Sequence, residues 1–231
     1  MAKKKNNYYS DESIVDEAIR TLRTNIAFSS TDNSLKSLVI TSSNPSEGKS
    51  NISIRLARSM AHNGQKVLLI DCDLRNPSVG KYIGVDVGIG MTNLLVQDIS
   101  VKEVMIKDEK SPYLDIILTG PVPPNPSELL GSEKMKRLVS EFENEYDIVI
   151  LDSPPAGLLT DAQILSTMAD GTILVVAQGE STREKIDMTI QNLRNVDANI
   201  LGIVFNKVKI KGTKGYGYGY GYGYKHGASK A

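Results

Sequence analysis

Three things are scarce in this sequence, and each shortage removes a class of protein. There is a single cysteine, Cys72, so no intramolecular disulfide can staple the chain. It lies in an apolar run that reads as buried, and the pattern suits a reducing, cytoplasmic setting. No run approaches the roughly 18 to 20 apolar residues of a membrane span, and the polar, lysine-rich start has no apolar stretch of the signal-peptide kind. Any attachment to the inner face of a membrane is therefore expected to be borrowed from a partner. Net charge is missing too: Lys plus Arg and Asp plus Glu count 27 each, which argues against binding nucleic acid by bulk charge. Local charge remains, with Lys3, Lys4 and Lys5 at the start and Lys207, Lys209, Lys211 and Lys214 near the end.

What is present suits one folded domain with tails. The 231 residues are 40% hydrophobic and 23% charged, close to the globular average. Apolar, β-rich runs at 37–41, 67–73, 114–120, 147–152, 172–178 and 200–206 are mostly continuous, as expected of strands covered on both faces. Helical stretches near 49–63, 127–145, 160–169 and 181–195 alternate with them. The alternation predicts an α/β fold, a doubly wound and mostly parallel sheet, over 36–208. Ligands of such sheets gather at the carboxyl ends of the strands. Ahead of the sheet, in an N-terminal segment at 1–35, a helix is predicted over 11–28. Ile14, Val15, Ala18, Ile19, Leu22 and Ile26 form its apolar stripe, while Glu17, Arg20 and Arg23 fall largely on another side. Read by periodicity alone, those three are a solvated face with one intrahelical Glu–Arg pair.

The motifs sit just after strands. "SSNPSEGKSN" follows the first strand and opens a helix, the setting in which Gly-Lys-Ser becomes a phosphate loop. Backbone N–H groups around Ser46, Glu47, Gly48, Lys49, Ser50 and Asn51 can surround phosphate oxygens. Lys49 can reach the β- and γ-phosphates, and the Ser50 hydroxyl can ligate Mg²⁺. Ser43 stands where the usual pattern has its first glycine. "VILDSPP" places Asp152 at a strand end, where a carboxylate can hold Mg²⁺ or its water; the competing reading is a turn former or helix cap. "LLIDCDLR" puts Asp71 and Asp73 two residues apart, crowded unless a cation or a proton lies between them. A tyrosine hydroxyl, with a pKa near 10, transfers its proton best to such a carboxylate. Asp71 or Asp73 can be that base, and the preferred order is Asp71 as base with Asp73 assisting metal or acceptor. Asn206, at the end of the last strand, can hydrogen-bond adenine or can serve only as a turn residue.

The segment 209–231 is different in kind. "GYGYGYGYGY" holds Tyr216, Tyr218, Tyr220, Tyr222 and Tyr224, half of the ten tyrosines in the chain. Glycine at every second position gives it no stable local fold, so a phenol can extend into an active site. Alternating Tyr and Gly can also stack as self-associating β structure.

These residues resemble one family, the bacterial tyrosine kinases of capsule and exopolysaccharide systems, in the short cytoplasmic form of Gram-positive bacteria. "EAIRTLRTNI" is similar to the family's Glu-x-x-Arg-x-x-Arg helix, which implies that Glu17, Arg20 and Arg23 make subunit contacts in a homo-oligomeric ring. "SNPSEGKS" is similar to its Walker A, "LLIDCDLR" to its Walker A′ and "ILDSPP" to its Walker B. "LTGPVPPNPSELL" and "TDAQIL" are similar to its connecting segments. The resemblance implies ATP and Mg²⁺ as cofactors, with Ser50, Asp73 and Asp152 at the metal, and the five tail tyrosines as autophosphorylation sites. It further implies a transmembrane activator, an opposing tyrosine phosphatase, other protein substrates and control of polysaccharide assembly. The alternative is a P-loop ATPase switch of the partition or division-site type. Such switches usually carry an early loop lysine, where this chain has Asn44, and lack a tyrosine tail.

Overall fold

Continuous apolar strands need cover on both faces, and the chain wraps its sheet in helices on each side. The structure, a computed structural model, describes residues 11–29, 35–86 and 88–209. In chain order the elements are α1 (Asp11–Phe28), β1 (Ser37–Ser42), α2 (Lys49–His62), β2 (Val67–Asp71), α3 (Val79–Ile83), α4 (Met91–Val96), α5 (Val101–Val104), β3 (Met105–Lys107) and β4 (Leu114–Ile117). Then come α6 (Pro126–Leu130), α7 (Glu133–Glu145), β5 (Ile148–Asp152), α8 (Asp161–Ser166), β6 (Gly171–Ala177), α9 (Arg183–Arg194) and β7 (Ile200–Asn206). The sheet order is β3-β4-β2-β5-β1-β6-β7, parallel throughout except for the β3–β4 pair.

Strand alternation divides the core in two. Leu38, Ile40, Leu69 and Ile150 pack with Ile52, Leu56 and Met60 of α2, whereas Val39, Leu68, Ile70 and Leu151 pack with Leu138 and Phe142 of α7 and Leu165 of α8. Insertion of β5 between β1 and β2 decides the chemistry, because its register sets Asp152 opposite Asp71 at the carboxyl end of the sheet. The phosphate loop leaves β1 on the other side of the same strand.

Several expected elements take a different shape. The helix expected over 127–145 is two, α6 and α7, broken at Gly131 and Ser132; the Ser132 hydroxyl accepts the Met135 N–H and caps α7. The short β3 and the helices α3, α4 and α5 were not expected. They are only three to six residues long, too short for a period to register. Helix α1 forms as predicted, yet only Ile19 and Ile26 of its stripe are buried, packed on α2; Val15 and Ala18 stay exposed. Arg23 donates to the Ser59 carbonyl at 2.7 Å, so it ties α1 to α2. Glu17 and Arg20 form the exposed intrahelical pair at 2.6 Å. No described helix is long and apolar enough to cross a membrane.

Candidate active site

Between β1 and α2 the backbone makes a turn that few residues tolerate. Ser46 and Gly48 both adopt left-handed conformations, at φ 63° and 91°. At Gly48 the positive φ favours glycine, and a Cβ would come within 2.2 Å of Asn206 Nδ2 and displace that side chain. Asn206 itself donates to the Glu47 carbonyl at 2.8 Å, which seats the end of β7 against the loop. Helix α2 begins at Lys49 with no side-chain cap, leaving its first N–H groups for an anion.

Three carboxylates surround Lys49. Its ammonium lies 2.9 Å from Asp73 Oδ2 and 3.9 Å from Asp152 Oδ2. Burial pulls the ammonium toward the neutral form, but Asp152, Asp73 and Asp71 outweigh it and hold its pKa above the ordinary lysine value. Burial, then the neighbouring Asp152 charge, push the Asp71 carboxyl up to about 7. Asp152 is likewise raised by burial, against the pull of Lys49 and of the Ser53 hydroxyl. Strand β2 stops at Asp71, and the turn after it arranges the acidic pair. Asp71 accepts N–H groups from Asp73, Ser78 and Val79, while Asp73 accepts the Asn76 N–H and the Lys49 ammonium. Cys72, between them, turns into the core on the α7 face.

The cavity in front of these groups has a volume of about 670 Å³, within the range of ligand sites. Ser46, Gly48, Lys49, Ser50, Asn51, Asp73 and Asn206 line it; Asp71 and Asp152 lie behind the wall, and Glu47 turns inward. The residues fit a magnesium nucleotide. Asp152 is fully buried, with Oδ1 taken by the Ser53 hydroxyl at 2.9 Å and Oδ2 without a hydrogen bond. An acceptor so placed is open to a metal or its water. Among the described residues no cluster of three or more acidic, histidine or cysteine side chains forms a metal cage. Magnesium does not ask for one, since one or two carboxylates with phosphates and water suffice.

Sequence reasoning missed the far wall. Arg75, Tyr82, Pro155, Leu158 and Leu159 line the same cavity. Arg75 Nε donates to Asp161 Oδ2 at 2.8 Å, and buried Asp161 also takes the Ser127 hydroxyl. This lock fastens the β2–α3 turn, and with it Asp73, to α6 and α8. Arg75 closes the quoted "LLIDCDLR" and Asp161 is the second residue of "TDAQIL", but nothing in their spacing says that they meet. The five tail tyrosines lie outside the described residues, whereas Lys207, two residues before the last described one, is on the cavity rim.

A Gly-Lys-Ser loop leading into a helix at the carboxyl end of a parallel sheet, with strand-end carboxylates beside it, defines a P-loop nucleotide-binding protein. The comparisons narrow the class. A family described as an AAA domain matches residues 35–204. The tyrosine-protein kinase YwqD of Bacillus subtilis (strain 168) is 41% identical over 206 residues, 89% of this chain and 86% of that one. The putative tyrosine-protein kinase CapB of Staphylococcus aureus is 34% identical over 94% of this chain and 97% of its own. The kinase domain of the Escherichia coli tyrosine kinase ETK superposes with a TM-score of 0.83 at 32% identity, covering 95% of this chain and 88% of that one. The chain belongs to the bacterial tyrosine kinases.

Proposed function

We propose that the chain transfers the γ-phosphoryl group of ATP to tyrosine hydroxyls, first of all its own Tyr216, Tyr218, Tyr220, Tyr222 and Tyr224, and so regulates capsular or exopolysaccharide assembly. The observation that carries this reading is the pairing of Lys49 with Asp73 at 2.9 Å on the wall of a cavity that Asn206 and Lys207 also line. A nucleotide switch needs the loop and a metal ligand; a second acidic strand end beside them suits proton transfer.

In this reading the phosphate loop and the start of α2 bind the phosphates through backbone N–H groups, and Lys49 balances charge on the γ-phosphate. Ser50, Asp73 and Asp152 would hold Mg²⁺, which when bound neutralises charge on the phosphate oxygens. Asn206 would meet the adenine side. The acceptor phenol enters along Tyr82, Pro155 and Leu158. Its oxygen bonds to the γ-phosphorus as the bond to the bridging oxygen breaks, ADP leaves, and the phenolic proton passes to the Asp71–Asp73 pair. Asp73 is the member on the cavity wall. Asp71 lies behind it, its carboxyl raised by burial and by the neighbouring Asp152 charge. A transmembrane activator would bring the kinase to the membrane, copies of the chain would assemble as a ring, a tyrosine phosphatase would reverse the labelling, and other protein substrates would share the site.

Incubation with Mg-ATP and anti-phosphotyrosine blotting test this. Label is expected on the wild type, lost in Lys49→Met, and largely lost when the five tail tyrosines become Phe with ATP binding retained. No label on the wild type, even with the activator's cytoplasmic segment added, would leave a nucleotide switch or adaptor.

A further inference from the structure

Glu47 is the acidic residue of the phosphate loop, and its side chain points away from the cavity into the protein. It is fully buried. Oε2 accepts the N–H groups of Ser43 and Asn44, each at 2.8 Å, and Oε1 accepts the Ala177 N–H at 3.2 Å and the Ser181 hydroxyl. No ion pair to Glu47 is found among the described residues. Four donors thus converge on one carboxylate, whose two oxygens offer about four acceptor sites. The donors come from three places: the start of the loop, the end of β6, and the turn into α9. A second chain of bonds runs alongside, from Lys185 Nζ to Asn44 Oδ1 at 3.2 Å and from Asn44 Nδ2 to Ser181 Oγ at 2.8 Å. The Glu47 carbonyl, in turn, receives Asn206.

We propose that Glu47 is a positioning residue, an internal bracket whose carboxylate holds the phosphate loop in its nucleotide-receiving shape and fastens it to the segment 177–185. The proposal rests on the reading of the loop as an ATP site. Its physical basis is that left-handed Ser46, next in the chain, is a conformation that persists only where the surroundings over-determine it. The bracket supplies that determination from inside, without touching the ligand. Ser43 stands where the usual loop has its first glycine, and its N–H is turned inward and spent on Glu47.

An amide cannot replace the carboxylate. The NH₂ end of Gln must face either the Ser43 and Asn44 N–H groups or the Ala177 N–H, donor against donor. The test uses the full chain, a fluorescent ATP analogue with Mg²⁺, steady-state kinetics and thermal melting. Glu47→Gln is expected to remain folded, to weaken nucleotide binding about tenfold or more, and to place most of its kinetic loss in KM for ATP rather than kcat. Ser181→Ala should weaken binding by a smaller factor, and the double variant should be no worse than Glu47→Gln, because Ser181 acts through that carboxylate. Binding by folded Glu47→Gln within about twofold of wild type, with only the melting temperature lowered, overturns the proposal. So do fully additive losses in the double variant. If Glu47→Gln does not fold, Ser181→Ala decides: unchanged affinity there also overturns it. A wild type that binds no nucleotide is a different failure, that of the ATP-site reading itself.

Discussion

Tyr146 shows how burial sorts residues of one type. It lies at the end of the sheet opposite the phosphate loop, where its hydroxyl donates to Asp115 Oδ2 at 2.8 Å and its ring lies under the Lys66 ammonium. Burial first, then the Asp115 hydrogen bond, push its phenol above the ordinary tyrosine value. A tyrosine held this way is structural, in contrast to the glycine-spaced phenols of the tail. The sign of its pH effect follows. As pH rises past about 10, the unfolded chain loses this proton before the folded one does, so stability falls. Tyr146→Phe is expected to melt about 2–4 °C lower at pH 7, through loss of one hydrogen bond, and to close that gap above pH 10. Melting curves of both proteins from pH 7 to 11 check this; a gap that widens with pH contradicts it. Carboxylates are sorted likewise, since Asp73 reaches the cavity, Asp71 and Asp152 sit behind it, and Asp161 holds Arg75.

Helix α1 separates two roles that its sequence mixes. Ile19 and Ile26 are core residues, and truncation of either to Ala should destabilise the chain by about 2–4 kcal/mol in denaturant titrations. Arg23 shares that role through Ser59. Glu17 and Arg20, more than half exposed, should cost less than about 0.5 kcal/mol when both become Ala. Sedimentation of that double variant is then a clean reading of assembly. A shift toward monomer with unchanged stability supports a subunit contact, and an unchanged profile returns the pair to a solvated face. The helix was legible because its period runs for 18 residues. The antiparallel β3 was not legible, because three residues pairing at an edge carry no period of their own.

For the whole molecule, the issue is where the chain's end begins. Strand β7 finishes at Asn206 beside the phosphate loop, and Lys207 after it lines the cavity, so the last described residues lie at the site's rim. From 208 to 224 the chain could span about 50 Å fully extended, enough to reach a neighbouring copy. Each phosphate adds roughly −1.5 to −2 charges, so five would bring on the order of −8 to −10 to one copy. Such charge is expected to loosen a ring of like copies. Sedimentation before and after incubation with Mg-ATP should show smaller species after labelling, with the difference reduced at high salt. A particle that keeps its size when fully labelled would remove charge repulsion as the release step.

The sequence by itself determined the parallel strands, the phosphate loop after β1 and the acidic strand ends, because those are local patterns: an apolar run, a glycine, a carboxylate closing the run. Only the tertiary structure decided which carboxylate faces the cavity, that Arg75 meets Asp161, that Arg23 bonds to Ser59 of α2, and that Glu47 braces its own loop from within. Those facts join residues 86, 36 and up to 134 positions apart. Such separations are set by strand order and register, above all by β5 entering between β1 and β2, and no local spacing encodes them.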